Sequence, residues 1–294
     1  MRNLVITLAV AFTSAVSFAN DVNLKKVNAV LKKDIVAPVL DANTNGVVTQ
    51  LELKIDEKSN LKEVKTLKTG IAFSATAKES VWSQKPTTIG LKLNGKTVRS
   101  DNVDSDFKMD ATISSKTEAV PLYSHIASSL LEDAGQQAPE NEDEEALLEI
   151  LKEAATTATL SQIPEQLERL IVIIKKSTDD NGAWGEFINS LKVDRRIENF
   201  KTTQVVVKTT TEPALDFFGM KMILSGLELK MSDKDLSFGG AVTVTANTQE
   251  VEELLQSVKG FLSLLENPDS ETKANLQEMA AGYITMVESI VTGN

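Results

Sequence analysis

Cysteine is absent from this 294-residue chain, and histidine occurs once. The first absence excludes thiol nucleophiles, disulfide staples and any cysteine-held zinc or iron–sulfur cluster. The second leaves His125 as the sole imidazole, so a zinc site would need carboxylates for its other ligands. A phosphate-cradling P-loop, the dinucleotide fingerprint and the Gly-x-Ser-x-Gly nucleophile elbow are missing too. Positive charge is scarce: 31 Lys and Arg stand against 42 Asp and Glu, a net charge of -11. That balance argues against a general nucleic-acid binder, which must neutralise phosphates. It argues equally against simple electrostatic docking on anionic lipid, while leaving room for a local basic patch.

What is present begins with an export pattern. Arg2 precedes the apolar run Leu4 to Val16, and Ser17-Phe18-Ala19 places small residues where a signal peptidase reads. The run is short for a membrane span. Residues 1–19 are therefore expected to be a signal peptide cleaved near Ala19, leaving 20–294 as the mature protein. Cleavage removes one Arg and no acid, taking the net charge from -11 to -12. The expected location is periplasmic or secreted, with a Gram-negative periplasm favoured by the lack of cysteine. An exported chain without disulfides must rely on core burial, and this one is long enough to do so.

Hydrophobic periodicity predicts the order helix, strands, helices, strands, helices. Leu24, Val27, Leu31 and Ile35 recur at helical spacing, and Pro38 unsettles the last turn. Val47, Thr49, Leu51, Leu53 and Ile55 alternate with mostly polar residues, as a strand does. Leu67 to Ala77, Ile89 to Leu93 and Phe107 to Ile113 repeat the pattern, with Asn94-Gly95 expected as a tight hairpin turn. A helix is predicted over Val120 to Leu131, then an acidic mobile loop over Ala134 to Glu145, then further helices through Leu191. Strands return at Phe200 to Thr211, Met220 to Met231 and Leu236 to Ala246. In the last of these Gly239-Gly240 marks a bend, a bulge or a close backbone contact. Asn247 with Glu250 reads as a capping box before the stripe Val251 to Leu265. Leu276, Met279, Tyr283, Val287 and Ile290 line a final helix.

Strand runs this close together, without helical spacers, favour antiparallel pairing. The expected fold class is α+β, with antiparallel sheet packed on amphipathic helices and a curved sheet wrapping a helix as one form of it. Residues 20–294 form either a single domain or two similar lobes, about 20–138 and 139–294. A monomer is expected.

Few residues carry chemistry. His125 is predicted on a helix, where Ser124 does not share its face, so no nucleophile and base pair is evident. One loop has metal-ligand spacing. Asp41, Asn43 and Asn45 offer side-chain oxygens, Val47 a carbonyl, Thr49 a water-bridged contact and Glu52 two oxygens, with Gly46 at the sharp turn. Residues 41–52 resemble an EF-hand loop, which implies calcium as the only candidate cofactor. Two features differ from that pattern: only Asp41 and Glu52 are charged, and the exit segment alternates as a strand. A helix-to-strand turn capped by Asp41 and Asn43 is the plain alternative.

The functional expectation is a non-enzymatic exported binding protein, carrying a lipid or other apolar ligand in a groove between a curled sheet and a helix. Met220, Met222, Met231, Phe217, Phe218 and Phe238 are candidate lining residues. A helix with a curved sheet looks like the general plan of tubular lipid carriers. The alternative is a structural or protein-interaction module of the envelope, presenting the Thr-rich strand 201–211 and the acidic loop. An enzyme would need carboxylate- or metal-dependent chemistry.

Overall fold

The computed structural model describes residues 22–55, 68–98, 104–135, 138–177, 183–212, 214–217, 220–247, 249 and 260–293. The expected signal segment 1–19, Leu67, the turn at 179–182, Phe218, Glu250 and the stripe residues from Val251 to Val258 lie outside them.

The fold is α+β. Nine antiparallel strands are described: β1 Val48–Ile55, β2 Lys68–Ala77, β3 Thr87–Val98, β4 Asp104–Lys116, β5 Leu191–Glu198, β6 Lys201–Thr209, β7 Ala214–Phe217, β8 Met220–Ser232 and β9 Leu236–Asn247. Eight of them form one sheet in the order β1-β2-β3-β4-β9-β8-β6-β5, and β7 pairs with β8 off that path. Both strand blocks of the sequence thus enter one sheet, joined antiparallel by β4 and β9 from Asp104↔Asn247 to Ser115↔Leu236.

Helix α1 has three parts: α-helical Leu24–Val30, π-helical Leu31–Val36 and α-helical Ala37–Ala42. Val27, Leu31 and Ile35 are buried at successive four-residue steps. Such steps drift around a 3.6-residue helix, and the wider π turn returns them to one face. The helix continues through Pro38 rather than ending there. Further helices among the described residues are α2 Ala119–Ala134, α3 Glu142–Ala155, α4 Ile163–Ser177, α5 Ala183–Ser190 and α6 Ser270–Thr292, and residues 260–264 are helical as well.

Two clusters cover one face of the sheet. In the first, α1 and α6 pack on β1, β2 and β3, with Leu31, Ile55, Phe73, Ile89, Tyr283 and Val287 at its centre. Tyr283 donates its hydroxyl hydrogen to the Ile89 carbonyl at 2.9 Å, and its ring lies 5.5 Å from that of Phe73. In the second, Ala119, Leu160 and Ile163 pack on Val205 and Met231 of β6 and β8. At the edge strand β1, Asn28 imitates a neighbouring strand. Its Nδ2 donates to the Ile55 carbonyl at 3.0 Å, and Ile55 N–H donates to its Oδ1 at 2.8 Å. A side chain thereby occupies an edge that would otherwise invite pairing.

Several local expectations fail for identifiable reasons. Asn94-Gly95 makes no turn: β3 runs on, with Asn94↔Asp110 and Gly95↔Met109 in register. Pairing with β2 and β4 on both sides overrides the dipeptide's preference. In β1 a bulge between Val48 and Gln50 shifts the phase, so Val48 is buried with Leu51 instead of lying on the wet face. The acidic loop ends early. Asn141 Oδ1 accepts the Glu144 N–H at 2.9 Å, and Glu142 to Glu145 form the first turn of α3, where the helix dipole favours acids. Leu191 opens a strand that the sequence reading assigned to a helix, and Phe200 sits in the turn after it. In α6 the buried stripe ends at Val291, and Ile290 is exposed. The bulge near Gly240 belongs to β8, between Ser225 and Glu228, where Gly226 has φ +59°. The close contact expected at Gly239-Gly240 is present: a Cβ on Gly240 would lie 2.2 Å from Leu227 Cδ2 and 3.3 Å from Leu227 Cα, so glycine is what admits that residue.

Candidate functional site

Register places one apolar residue from each of eight strands on the same sheet face. Leu53, Phe73, Leu91, Ile113, Phe238, Leu229, Val207 and Val193 follow one another across the sheet. Leu53 and Phe73 are buried under α1 and α6, and Leu229 and Val193 pack against the second cluster. Between these covers Ile113 is 42% exposed and Phe238 46%. Two large neighbouring side chains on the inner face of a sheet would ordinarily be covered, at about 25 cal/mol for each Å² of apolar surface.

The next rank of residues closes one end of this stretch. It holds Ile89, Ser115, Leu236 and Met231. Leu236 packs against both clusters, so the two covers meet over it and part at Phe238. Ser115 is buried there, and its Oγ has no hydrogen-bond partner among the described residues. A buried hydroxyl left unpaired costs about 1–3 kcal/mol. The arrangement is an apolar trough with an unspent polar group at its closed end.

Of the expected lining residues, Phe238 lies in the trough and Met231 is buried in the second cluster beside it. The side chains of Met220, Met222 and Phe217 lie outside the description. Ile113 and Ser115 were not singled out by the sequence. The only signal available was a serine continuing the alternation of Ala111 and Ile113.

The six loop residues are dispersed in role. Asn43 and Asn45 each donate their Nδ2 hydrogens to Glu288 of α6, at 3.1 Å to Oε1 and 3.1 Å to Oε2. The Val47 carbonyl accepts the Lys78 N–H at 3.2 Å, and Thr49 Oγ1 donates to the Thr76 carbonyl at 3.2 Å. Asp41 is exposed on the last turn of α1, and Glu52 is exposed in mid-strand opposite Ser74. Gly46 has φ +69°, as the sharp turn requires. Asn43, Asn45 and Glu288 line a recess of about 420 Å³ between α1 and α6. Glu288 was the residue missed, since its partners are more than 240 positions away. Among the described residues no three acids or histidines come close enough to hold a metal ion.

His125 stacks at a tilt on Trp82, ring centres 5.6 Å apart. Its helix neighbours spend their hydroxyls on backbone carbonyls: Ser124 on Thr157 at 2.9 Å, Ser128 on Ser124 at 2.9 Å and Ser129 on His125 at 3.1 Å. These hydroxyls stabilise turns and helix, and none is bonded to the imidazole. Two tyrosines and a carboxyl illustrate how surroundings displace pKa values in this fold. Burial raises Tyr123 and Tyr283 to about 12. Hydrogen bonds from Lys85 and Ser83 hold the Glu118 carboxyl below its usual range.

Among the described residues, no helix is long and apolar enough to cross a membrane. Comparison with family models, with curated proteins and with solved structures found no match.

Proposed function

We propose that this chain is a non-enzymatic binding protein that carries the apolar portion of an amphiphile, such as an acyl chain, in the bacterial envelope after export. The supporting observation is the exposure of Ile113 and Phe238 in the middle of an otherwise covered apolar face. An acyl chain laid along Leu91, Ile113, Phe238 and Leu229 would remove that surface from water without rearranging the sheet. Ser115 lies sealed beneath the point where the two covers meet and marks where the trough stops.

Titration with a dansyl-labelled fatty acid tests the reading. Saturable fluorescence enhancement is expected, reduced about tenfold or more in Phe238→Asp and in Ile113→Asp. Both residues are half exposed, so the variants should keep the wild-type circular dichroism. Unsaturable enhancement, or equal enhancement in the variants, would remove the trough as a ligand site. Native mass spectrometry of gently purified protein then identifies any amphiphile retained.

A further inference from the structure

The hairpin joining β5 to β6 carries a second feature, independent of whether the trough is filled. Seven consecutive residues, Arg195 to Lys201, are exposed. Asn199 and Phe200 form the two-residue connection, with φ of +50° and +64°. Positive φ at both positions is the mark of a tight hairpin turn that favours Asn followed by Gly. Asn tolerates that backbone, whereas Phe gains nothing from it. Phe200 is nevertheless there, and its side chain is fully in solvent at 103% exposure; Ile197, three residues earlier and opposite Thr202, is 54% exposed.

The charges around this tip run against those of the whole chain. Arg195, Arg196 and Lys201 surround a single acid, Glu198, which pairs with Arg196 at 2.8 Å. The nearby Asp194 is already held between Lys192 and Lys208, each at 2.8 Å. Those two lysines keep its carboxyl below the usual range. Arg195 and Lys201 therefore have no carboxylate partner among the described residues.

The tip also projects. Pairing of β6 with β8 stops at Gln204↔Ser232, four residues before Phe200. At about 3.3 Å per residue the tip stands roughly 13 Å beyond the last rung. That exceeds the distance of about 8–10 Å over which physiological salt screens charge. The paired strands can thus stay out of range; the nearest acids outside the hairpin are Asp233 and Asp235 of the β8–β9 turn at the same end, with Lys234 between them.

We propose that this hairpin tip docks on an anionic phospholipid surface. Phe200 and Ile197 enter the interfacial layer, and Arg195 and Lys201 meet the phosphates. An aromatic with an aliphatic neighbour supplies the apolar contact, and cations at the base supply the preference for anionic lipid.

Flotation of the purified protein with phosphatidylcholine vesicles, with and without phosphatidylglycerol, tests this. Binding is expected to the phosphatidylglycerol vesicles alone and to weaken with salt. Phe200→Gly should lower it about tenfold or more. The same variant should melt no earlier than wild type, because glycine relaxes the turn. Arg195→Gln with Lys201→Gln should remove the lipid preference. Phe200→Trp should show blue-shifted emission only with anionic vesicles. Phe238→Asp should float as wild type does, which separates this surface from the trough. Absence of vesicle binding by wild type, equal binding to both vesicles, or undiminished binding by Phe200→Gly would overturn the proposal. The first of these would leave the exposed tip to a protein pocket.

Discussion

Gln277 of α6 donates its side-chain amide to the backbone carbonyl of Asp34 in α1, at 2.8 Å. Pro38, four residues beyond Asp34, has no N–H to give that carbonyl, and its ring crowds the same group. The π turn makes room for the ring, and Gln277 replaces the missing donor. Helix α1 therefore survives its proline because α6 lies beside it. Gln277→Leu should destabilise the protein by about 1–3 kcal/mol in urea unfolding. In a Pro38→Ala background the carbonyl regains a backbone donor, so the same substitution should cost less. Equal costs in the two backgrounds would show that Gln277 does not act through Asp34.

Tyr283 links stability to alkaline pH. Its hydroxyl is bonded to the Ile89 carbonyl, and burial raises its pKa from 10.0 to about 12. The folded state thus holds the proton more tightly than the unfolded chain. That contribution is fully present below pH 10 and is lost as pH rises through about 12. Tyr123 is raised in the same direction by burial. Melting temperature should fall over this window. Tyr283→Phe should lower it at neutral pH, through loss of one buried hydrogen bond, and should flatten part of the alkaline decline. An unchanged alkaline profile in that variant would place the sensitivity elsewhere.

The loop 41–52 offers a direct contest between calcium and Glu288. An EF-hand would turn the Oδ1 atoms of Asn43 and Asn45 towards metal, whereas here their Nδ2 groups orient on the α6 carboxylate, and the Val47 carbonyl accepts from Lys78. Calorimetric titration of the wild type at millimolar calcium is expected to be flat. Glu288→Ala leaves two amides without their acceptor and should cost about 1 kcal/mol of stability. Saturable heat in the wild type would return Asp41, Asn43, Asn45, Val47, Thr49 and Glu52 to the role of ligands.

Much of the fold was readable because side chains alternate or recur with the backbone's own period. Ile71, Phe73, Ala75 and Ala77 announced both a strand and its buried face, and Val27, Leu31 and Ile35 announced a helix. The readings that failed were local signals overruled by neighbours distant in sequence. Asn94-Gly95 is a good turn held straight by two flanking strands, and the β1 bulge reverses a phase that the residues alone cannot fix. The trough was legible only as apolar composition. Ile113 and Phe238 look like core until the register sets them side by side and the helices leave them bare.

The amino-acid order by itself determined the α+β class, the exclusion of thiol chemistry, and which face of most strands seeks burial. Periodicity and composition are properties of the chain taken a few residues at a time. Tertiary structure alone decided that β4 meets β9, that Gln277 serves Asp34, and that Ser115 ends buried with no partner among the described residues. Those outcomes depend on contacts closed across as many as 243 positions, where no short stretch records which surface will arrive.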